Sequence, residues 1–196
     1  MAREIEFYFD VGSPAAYLAW TQLPRIAEEA GARIAYRPFL LGGVFQATGN
    51  RSPMEVPAKG KYMQADLERF ARRHGVPFRQ NPHFPINTLT LMRGAIGLQL
   101  RDPQRMRPYV DAVYRAIWVD ACNMNDPATV AEVLQAAGFD PGQVLAWAGD
   151  PEVKERLKAV TQEAVARGVF GAPTFFVGDQ MFWGQDRLDF VKEALQ

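Results

Sequence analysis

The sequence predicts an α/β fold in which a small sheet is divided between the two ends of the chain, with a large all-helical insertion between them. Apolar residues at strand spacing are confined to 1–42 and 168–196, whereas helical spacing of apolar residues fills 43–167. We therefore predict one domain built from 1–42 together with 168–196, and a helical insertion domain of 43–167.

The N-terminal segment has the pattern of a strand–helix–strand unit. Residues 4–10 (EIEFYFD) alternate apolar and polar side chains, as a half-buried strand does. The Ser13-Pro14 pair is typical of a helix start, with serine as N-cap and proline in the first turn, and the helical pattern continues to about Ala30. The run 33–39 (RIAYRPF) is a second strand, which we expect to be parallel to the first.

The C-terminal segment predicts a hairpin followed by a helix. A helix over about 152–167 ends the insertion, and the apolar runs 173–177 and 180–183 flank Gly178-Asp179, a hairpin turn signal. Asp186 and Asp189 then open the last helix, with Asp186 as a candidate N-cap.

Composition limits the classes of partner. Lys plus Arg and Asp plus Glu both number 22, so no charge excess favours nucleic acid or an anionic membrane. Charges interrupt the first apolar run, so it is neither a signal peptide nor a membrane span. The one cysteine, Cys122, allows no intrachain disulfide, and with His74 and His83 it gives no metal-ligand pattern. We expect a cytoplasmic protein without a metal.

Ser13 is the first candidate for chemistry, although it can also be a plain N-cap. A helix N-terminus stabilises negative charge, and the serine hydroxyl could donate a hydrogen bond to a thiolate held there. Lowering a thiol pKa from about 8.5 by about two units requires roughly 2.7 kcal/mol. A charge-assisted hydrogen bond and a helix end together can supply most of this.

Two C-terminal motifs could bind a peptide-like ligand. A cis bond at Ala172-Pro173 would turn the Ala172 backbone outward for pairing, whereas most X–Pro bonds are trans. In the run from Trp183 to Arg187, free N–H groups could receive a carboxylate while Asp186 holds an ammonium group.

The remaining polar candidates have simpler alternatives. Asn50, Lys59 and Lys61 lie in a Gly/Pro-rich stretch before a predicted helix, where solvated loop residues are common. Cys122 is interpreted as a small buried residue rather than a nucleophile.

The motifs together resemble those of 2-hydroxychromene-2-carboxylate isomerases and kappa-class glutathione transferases. Five spaced runs carry the resemblance and cover nearly the whole chain in order: 7–14 (FYFDVGSP), 37–43 (RPFLLGG), 49–62 with Gly49-Asn50, Lys59-Gly60 and Tyr62, 169–174 (VFGAPT) and 183–188 (WGQDRL).

The resemblance implies a thioredoxin-like, DsbA-like fold with glutathione as cofactor. In disulfide oxidoreductases of this fold a cysteine pair begins the first helix, whereas this chain has Val11-Gly12-Ser13-Pro14. The resemblance implies that the Ser13 hydroxyl donates a hydrogen bond to the glutathione sulfur. It also implies that the peptide bond before Pro173 is cis. The other residues implied in glutathione binding are Asn50, Lys59, Ala172, Pro173, Trp183, Gly184, Gln185 and Asp186. The residues implied for the substrate pocket are Phe45, Asn50 and Asn87.

The implied reaction is the glutathione-dependent interconversion of 2-hydroxychromene-2-carboxylate and trans-o-hydroxybenzylidenepyruvate, by reversible thiolate addition, bond rotation and elimination. The partner is therefore a small aromatic, pyruvoyl substrate, and the resemblance also suggests a homodimer. Two alternatives remain open: a kappa-like transferase or peroxidase acting on another electrophile, and a glutathione-binding module without catalysis.

Overall fold

The computed structural model describes residues 3–196, which contain four strands and nine helices. The strands are β1 (Glu4–Phe9), β2 (Arg33–Pro38), β3 (Thr174–Val177) and β4 (Gln180–Trp183). The helices are α1 (Pro14–Ala30), α2 (Leu41–Thr48), α3 (Pro57–His74), α4 (Leu89–Arg101), α5 (Pro103–Trp118), α6 (Pro127–Ala136), α7 (Pro141–Gly149), α8 (Pro151–Ala166) and α9 (Leu188–Ala194).

The four strands form one mixed sheet in the order β2-β1-β3-β4. β1 and β2 are parallel, whereas β3 is antiparallel to both β1 and β4. Gly178 has a φ of +57° in the turn between β3 and β4, a conformation that glycine adopts without strain. The predicted α/β fold, with a βαβ unit, a helical insertion and a ββα unit, is confirmed.

The main core joins one face of the sheet to α1 and to the inserted helices. Phe7 stacks on Phe175 with ring centroids 5.1 Å apart, and Phe9 contacts Trp20 at 5.1 Å. The fully buried Trp118 of α5 donates its indole N–H to Val11 O at 2.9 Å. Hydrophobic contacts thus run continuously between the two segments, and the domain division at 42 and 168 stays a prediction.

The other face of the sheet packs against α8 and carries an ion network. The guanidinium of Arg167 lies 3.7 Å from the centroid of Phe176 and donates hydrogen bonds to Glu6 Oε1 at 2.8 Å and Tyr8 Oη at 3.0 Å. The Tyr8 hydroxyl donates to Glu163 at 3.0 Å. Burial raises the pKa of Tyr8 to about 12.

The helical insertion is interrupted at 75–88, which has no helix and contains Pro77, Pro82 and Pro85. The buried Asn81 amide holds this stretch by donating to Ile117 O at 3.0 Å and to Cys122 O at 2.9 Å. Satisfying those carbonyls favours an extended loop over a helix. A second cis bond, Phe84–Pro85, lies in the same loop.

Two local predictions are wrong. Lys59 and Lys61 lie in the first turns of α3 rather than in a preceding loop, because Pro57 starts the helix and the Gly60 N–H donates to Val56 O. Asp186 is not the N-cap of the last helix. It lies in a 3-10 turn over Gln185–Arg187, before α9.

No helix among residues 3–196 is long and apolar enough to cross a membrane. The same residues contain no group of three or more His, Cys, Asp or Glu side chains that could hold a metal ion.

Candidate functional site

A cavity of about 690 Å³ lies where the end of β1 and the start of α1 meet the loop before β3, the end of β4 and the inserted helices. Its sheet side is formed by backbone-rich segments, 12–15, 171–173 and 183–187. Its opposite side is mainly apolar. The apolar side chains that line it there include Phe45, Pro53, Met54, Met63, Leu67, Phe84, Pro85, Ile86 and Leu89.

Ser13 lies at the start of α1 and is only 5% exposed. Its backbone is extended (φ −94°, ψ 115°), and its Oγ accepts a hydrogen bond from Ala16 N at 3.1 Å, so it is the N-cap. The same hydroxyl donates to Ala172 O at 3.0 Å. A hydroxyl has a single proton, so donation to another acceptor requires that the bond to Ala172 be given up.

The loop before β3 places a backbone edge beside Ser13. The Ala172–Pro173 peptide bond is cis, as the resemblance implies. The Ala172 N–H makes no hydrogen bond within residues 3–196, whereas its carbonyl accepts from Ser13. The preceding Gly171 is buried beneath Trp183, and a Cβ there would lie 2.6 Å from the indole Nε1. Only glycine at this position lets the half-exposed indole lie against the loop.

The segment after β4 forms the next part of the wall. Gly184 has a φ of +107° and donates its N–H to Pro173 O at 3.0 Å, which joins this segment to the cis-proline loop. Gln185 is 7% exposed, and its Oε1 has no hydrogen-bond partner in the described part of the chain. Burial lowers the pKa of the nearby His74, and the Gln185 side chain partly opposes this shift. The Asp186 carboxylate pairs with Arg187 at 2.7 Å.

Asp10 joins three elements at the buried end of the cavity. Its carboxylate is 1% exposed and accepts hydrogen bonds from Gly12 N (2.9 Å), Leu41 N (2.8 Å) and Thr88 Oγ1 (3.1 Å). Burial raises the pKa of Asp10, although all three bonds favour the charged form. The end of β1, the start of α2 and the residue before α4 are thus held together.

The structure brings together all but one of the residues that the sequence implicates. Lys59 is exposed on α3 and does not line the cavity. It lies one turn before Met63, which does. The Asn50 Nδ2 donates to Phe170 O at 2.8 Å, which joins the loop after α2 to the cis-proline loop. The implicated residues that line the cavity are Ser13, Phe45, Asn50, Asn87, Ala172, Pro173, Trp183, Gly184, Gln185 and Asp186.

Asp10 and Arg51 also line the cavity but are not among the residues that the sequence implicates. A signal existed for Asp10, since this charged residue follows the aromatic run Phe7-Tyr8-Phe9 and belongs to the same motif as Ser13. For Arg51 the signal was its position next to Asn50, which does not by itself distinguish a site residue from a solvated one.

Comparison with known proteins agrees with this geometry. The family described as DSBA-like thioredoxin domain matches residues 4–196. The chain is 36% identical over 197 residues to a 2-hydroxychromene-2-carboxylate isomerase of Sphingobium xenophagum, an alignment covering 100% of this chain and 99% of that protein. It is 29% identical to glutathione S-transferase kappa 1 of Caenorhabditis elegans, with coverage of 98% and 90%.

A solved structure of a 2-hydroxychromene-2-carboxylate isomerase superimposes with a TM-score of 0.85 at 31% identity, covering 98% of this chain and 94% of that one. The resemblance inferred from the motifs is thereby confirmed. The chain belongs to the DSBA-like thioredoxin domain family and, within it, to the family of the 2-hydroxychromene-2-carboxylate isomerases, with kappa-class glutathione transferases as further relatives.

Proposed function

We propose that this protein is a glutathione-dependent isomerase that interconverts 2-hydroxychromene-2-carboxylate and trans-o-hydroxybenzylidenepyruvate. The observation that carries the proposal is the Ser13 hydroxyl, which lies at the N-terminus of α1 and lines a cavity with one backbone-rich wall and one apolar wall. The names of the full-length relatives support the same reaction.

The residues around Ser13 fit a peptide thiol such as glutathione. The Ala172 N–H has no partner in the described part of the chain and lies next to the carbonyl that already bonds Ser13, so a peptide backbone could pair there as a strand does. The buried Gln185 Oε1 without a partner suits an ammonium or amide donor. Bound glutathione would supply a thiolate that can add reversibly to a double bond conjugated with a carbonyl and permit rotation about it.

Ser13 and α1 would keep that sulfur ionised. The hydroxyl turns from Ala172 O to donate to the sulfur, while its Oγ still accepts from Ala16 N. The positive end of the 17-residue helix α1 adds to the stabilisation of the anion.

The other implicated residues would hold the two ligands. Trp183, Gly184, Gln185 and Asp186 form the wall proposed for the γ-glutamyl end of glutathione, for which the Asp186 carboxylate must be shared with, or released from, Arg187. Lys59 does not line the cavity, so it would reach glutathione only by extending its side chain from α3.

The apolar wall would receive the aromatic part of the substrate. Phe45 and Asn87 contribute from α2 and from the loop before α4, and Asn50 also lines the cavity while donating to Phe170 O. Such a wall excludes water, which protects a reactive double bond from side reactions. We further propose that the protein acts as a cytoplasmic homodimer, which light scattering of the purified protein would test.

The direct test follows the absorbance of 2-hydroxychromene-2-carboxylate with and without glutathione, in wild type and in Ser13→Gly. We expect conversion to the trans product only with glutathione, and slower conversion in the variant at neutral pH. Equal conversion without glutathione would contradict the proposal, as would failure of the protein to bind glutathione.

A kappa-like transferase or peroxidase is the second candidate, and the identity to kappa-class transferases over nearly the whole chain favours it. Stable conjugation of glutathione to a chloro-aromatic acceptor, without isomerisation, would identify it. A glutathione-binding module without catalysis would instead bind glutathione and leave the pKa of the bound thiol near its value in water.

A further inference from the structure

Gln185 is a buried amide in the wall proposed for the γ-glutamyl end of glutathione. It is 7% exposed, lies in the 3-10 turn Gln185–Arg187 and lines the cavity. Its Oε1 is enclosed and has no hydrogen-bond partner within residues 3–196. A buried acceptor is seldom left unpaired in a folded protein, so the groups beside it indicate which donor serves it.

The titratable group beside this amide is His74, the last residue of α3. It is partly buried, and its ring stacks on Phe70 with the ring centroids 6.0 Å apart. The Gln185 side chain favours the charged form of this ring, which raises the pKa of His74 against the larger effect of burial. Only the amide oxygen can act in this way, because the amide nitrogen is a donor. An imidazole has an N–H in its neutral and its charged form, so His74 can donate to Oε1 in either.

A bond from His74 would determine which end of the Gln185 amide meets a ligand. Oε1 suits a donor from the ligand or from the protein, and because it is enclosed a donor from the protein reaches it more easily. Nε2 would then face the cavity with two N–H groups to donate. Such a donor suits the carboxylate of the γ-glutamyl end, whose ammonium group we assign to Asp186.

We propose that His74 is a positioning residue for glutathione, because its ring donates to Gln185 Oε1 and so directs Gln185 Nε2 to the γ-glutamyl carboxylate. This inference rests on the proposed glutathione site but not on the proposed reaction. The amide would join the imidazole and the carboxylate in one chain of hydrogen bonds. Neighbouring hydrogen bonds polarise one another, so a positive charge on His74 should strengthen the binding of that anion.

The charges around His74 determine the pH range in which this effect appears. Burial has the largest effect and lowers the pKa of His74. Arg73 on the same helix and Arg25 of α1 also lower it, whereas Gln185 and Asp189 of α9 raise it. His74 is therefore neutral at neutral pH and becomes charged in acidic solution. A ligand that raises the pKa of His74 must bind more tightly to the charged form by the same factor.

The first measurement is an NMR titration of the histidine ring protons. The chain has two histidines, so His83, exposed in the loop before α4, is an internal control. The probe is S-methylglutathione, whose blocked thiol does not titrate, and the matched probe is its 4-aminobutyryl analogue, which lacks only the γ-glutamyl carboxylate. We expect S-methylglutathione to raise the pKa of His74 by about half a unit. The analogue should leave the pKa of His74 unchanged, and neither probe should affect His83.

Calorimetry of variants separates positioning from general stability. Wild type should bind S-methylglutathione about threefold more tightly at about pH 5 than at about pH 8. His74→Gln keeps an N–H donor without a titratable charge, so it should lose this difference but bind as wild type does at about pH 8. His74→Phe keeps a ring to stack on Phe70 but has no donor, so its Kd should be about threefold higher than that of wild type at about pH 8. His83→Phe is the matched control and should behave as wild type.

Other outcomes would overturn the inference. These are an unchanged pKa of His74 on binding, equal effects of the two probes, or a wild-type Kd in His74→Phe. A lowered pKa of His74 would do so too, because the ammonium group rather than the carboxylate would then lie beside Gln185. Each of these leaves the proposed function standing, whereas no binding of S-methylglutathione by wild type would contradict both. If His74 responds as expected but the protein isomerises nothing, the proposed reaction fails while the role of His74 stands.

Discussion

Replacing Ser13 by glycine separates the two roles of its hydroxyl. The side chain caps α1 through Ala16 N and is proposed to bond the thiolate, but at present it donates to Ala172 O. Glycine is nearly as good an N-cap as serine and costs only a few tenths of a kcal/mol, whereas alanine costs about 1 kcal/mol. Ser13→Gly should therefore leave the free energy of unfolding almost unchanged.

The effect on the thiol follows from the exchange of one hydrogen bond for another. A bond to an anion contributes about 1.5–3 kcal/mol and a neutral bond about 1 kcal/mol, so turning from Ala172 O to the sulfur gains about 0.5–2 kcal/mol. At 1.36 kcal/mol per unit, the hydroxyl lowers the thiol pKa by about one unit. This is about half of the two units considered from the sequence, because the sequence does not reveal the existing bond to Ala172.

The assay is a pH titration of bound glutathione, monitored by the ultraviolet absorbance of the thiolate, together with the pH profile of isomerisation. In Ser13→Gly the pKa of the bound thiol and the acidic limb of the profile should both shift upward by about one unit. The rate at about pH 6 should fall about tenfold and the rate at about pH 9 should change little, since the sulfur is then ionised in both proteins. Ser13→Thr, which keeps a hydroxyl, is the matched control.

A uniform loss of rate at every pH, with the thiol pKa unchanged, would refute this reasoning. The hydroxyl would then act on the substrate or on the Ala172 loop rather than on the ionisation of the sulfur. An unaltered pH profile with full activity would remove Ser13 from the mechanism altogether.

Two further predictions concern the walls of the cavity. Asp10→Asn should lower the free energy of unfolding at neutral pH by about 1–3 kcal/mol, because an amide nitrogen cannot accept the Leu41 N–H. Burial raises the pKa of Asp10 in the folded protein above 3.8, its value in the unfolded chain. The free energy of unfolding of wild type should therefore fall as the pH rises from 3.8 to the pKa of the folded state. Urea unfolding of Asp10→Asn should lack this pH dependence. Gly171→Ala, with a Cβ 2.6 Å from the Trp183 indole, should displace that ring, change its fluorescence and weaken glutathione binding. Gly149→Ala, with nothing within 4 Å, is the control, and equal effects in both would contradict the prediction.

The sheet could be predicted from the sequence because its determinants are local. Alternation in β1, the Ser13-Pro14 start of α1 and the Gly178-Asp179 turn each act within a few residues. Pro77, Pro82 and Pro85 mark 75–88 as a break between helices, but the path of this loop could not be predicted in the same way. It depends on Asn81 bonding carbonyls 36 and 41 residues away in the chain, and no periodicity reports such contacts.

The same distinction applies to the site. Ser13 and the 172–173 and 183–186 segments belong to motifs that can be compared with a family, whereas the role of Asp10 depends on partners 31 and 78 residues away.

The division of the cavity between the two segments has a functional consequence. The sheet side offers mostly backbone groups and the Ser13 hydroxyl, which suit a peptide thiol and depend little on side-chain identity. The insertion offers side chains such as Phe45, Arg51 and Met54, which under the proposed function would determine the shape and charge of the second ligand. Under the proposed function, we therefore expect substitutions in the insertion to change the electrophile without disturbing Ser13, the group proposed to keep the sulfur ionised. The similarity of this chain to both isomerases and kappa-class transferases fits such a division.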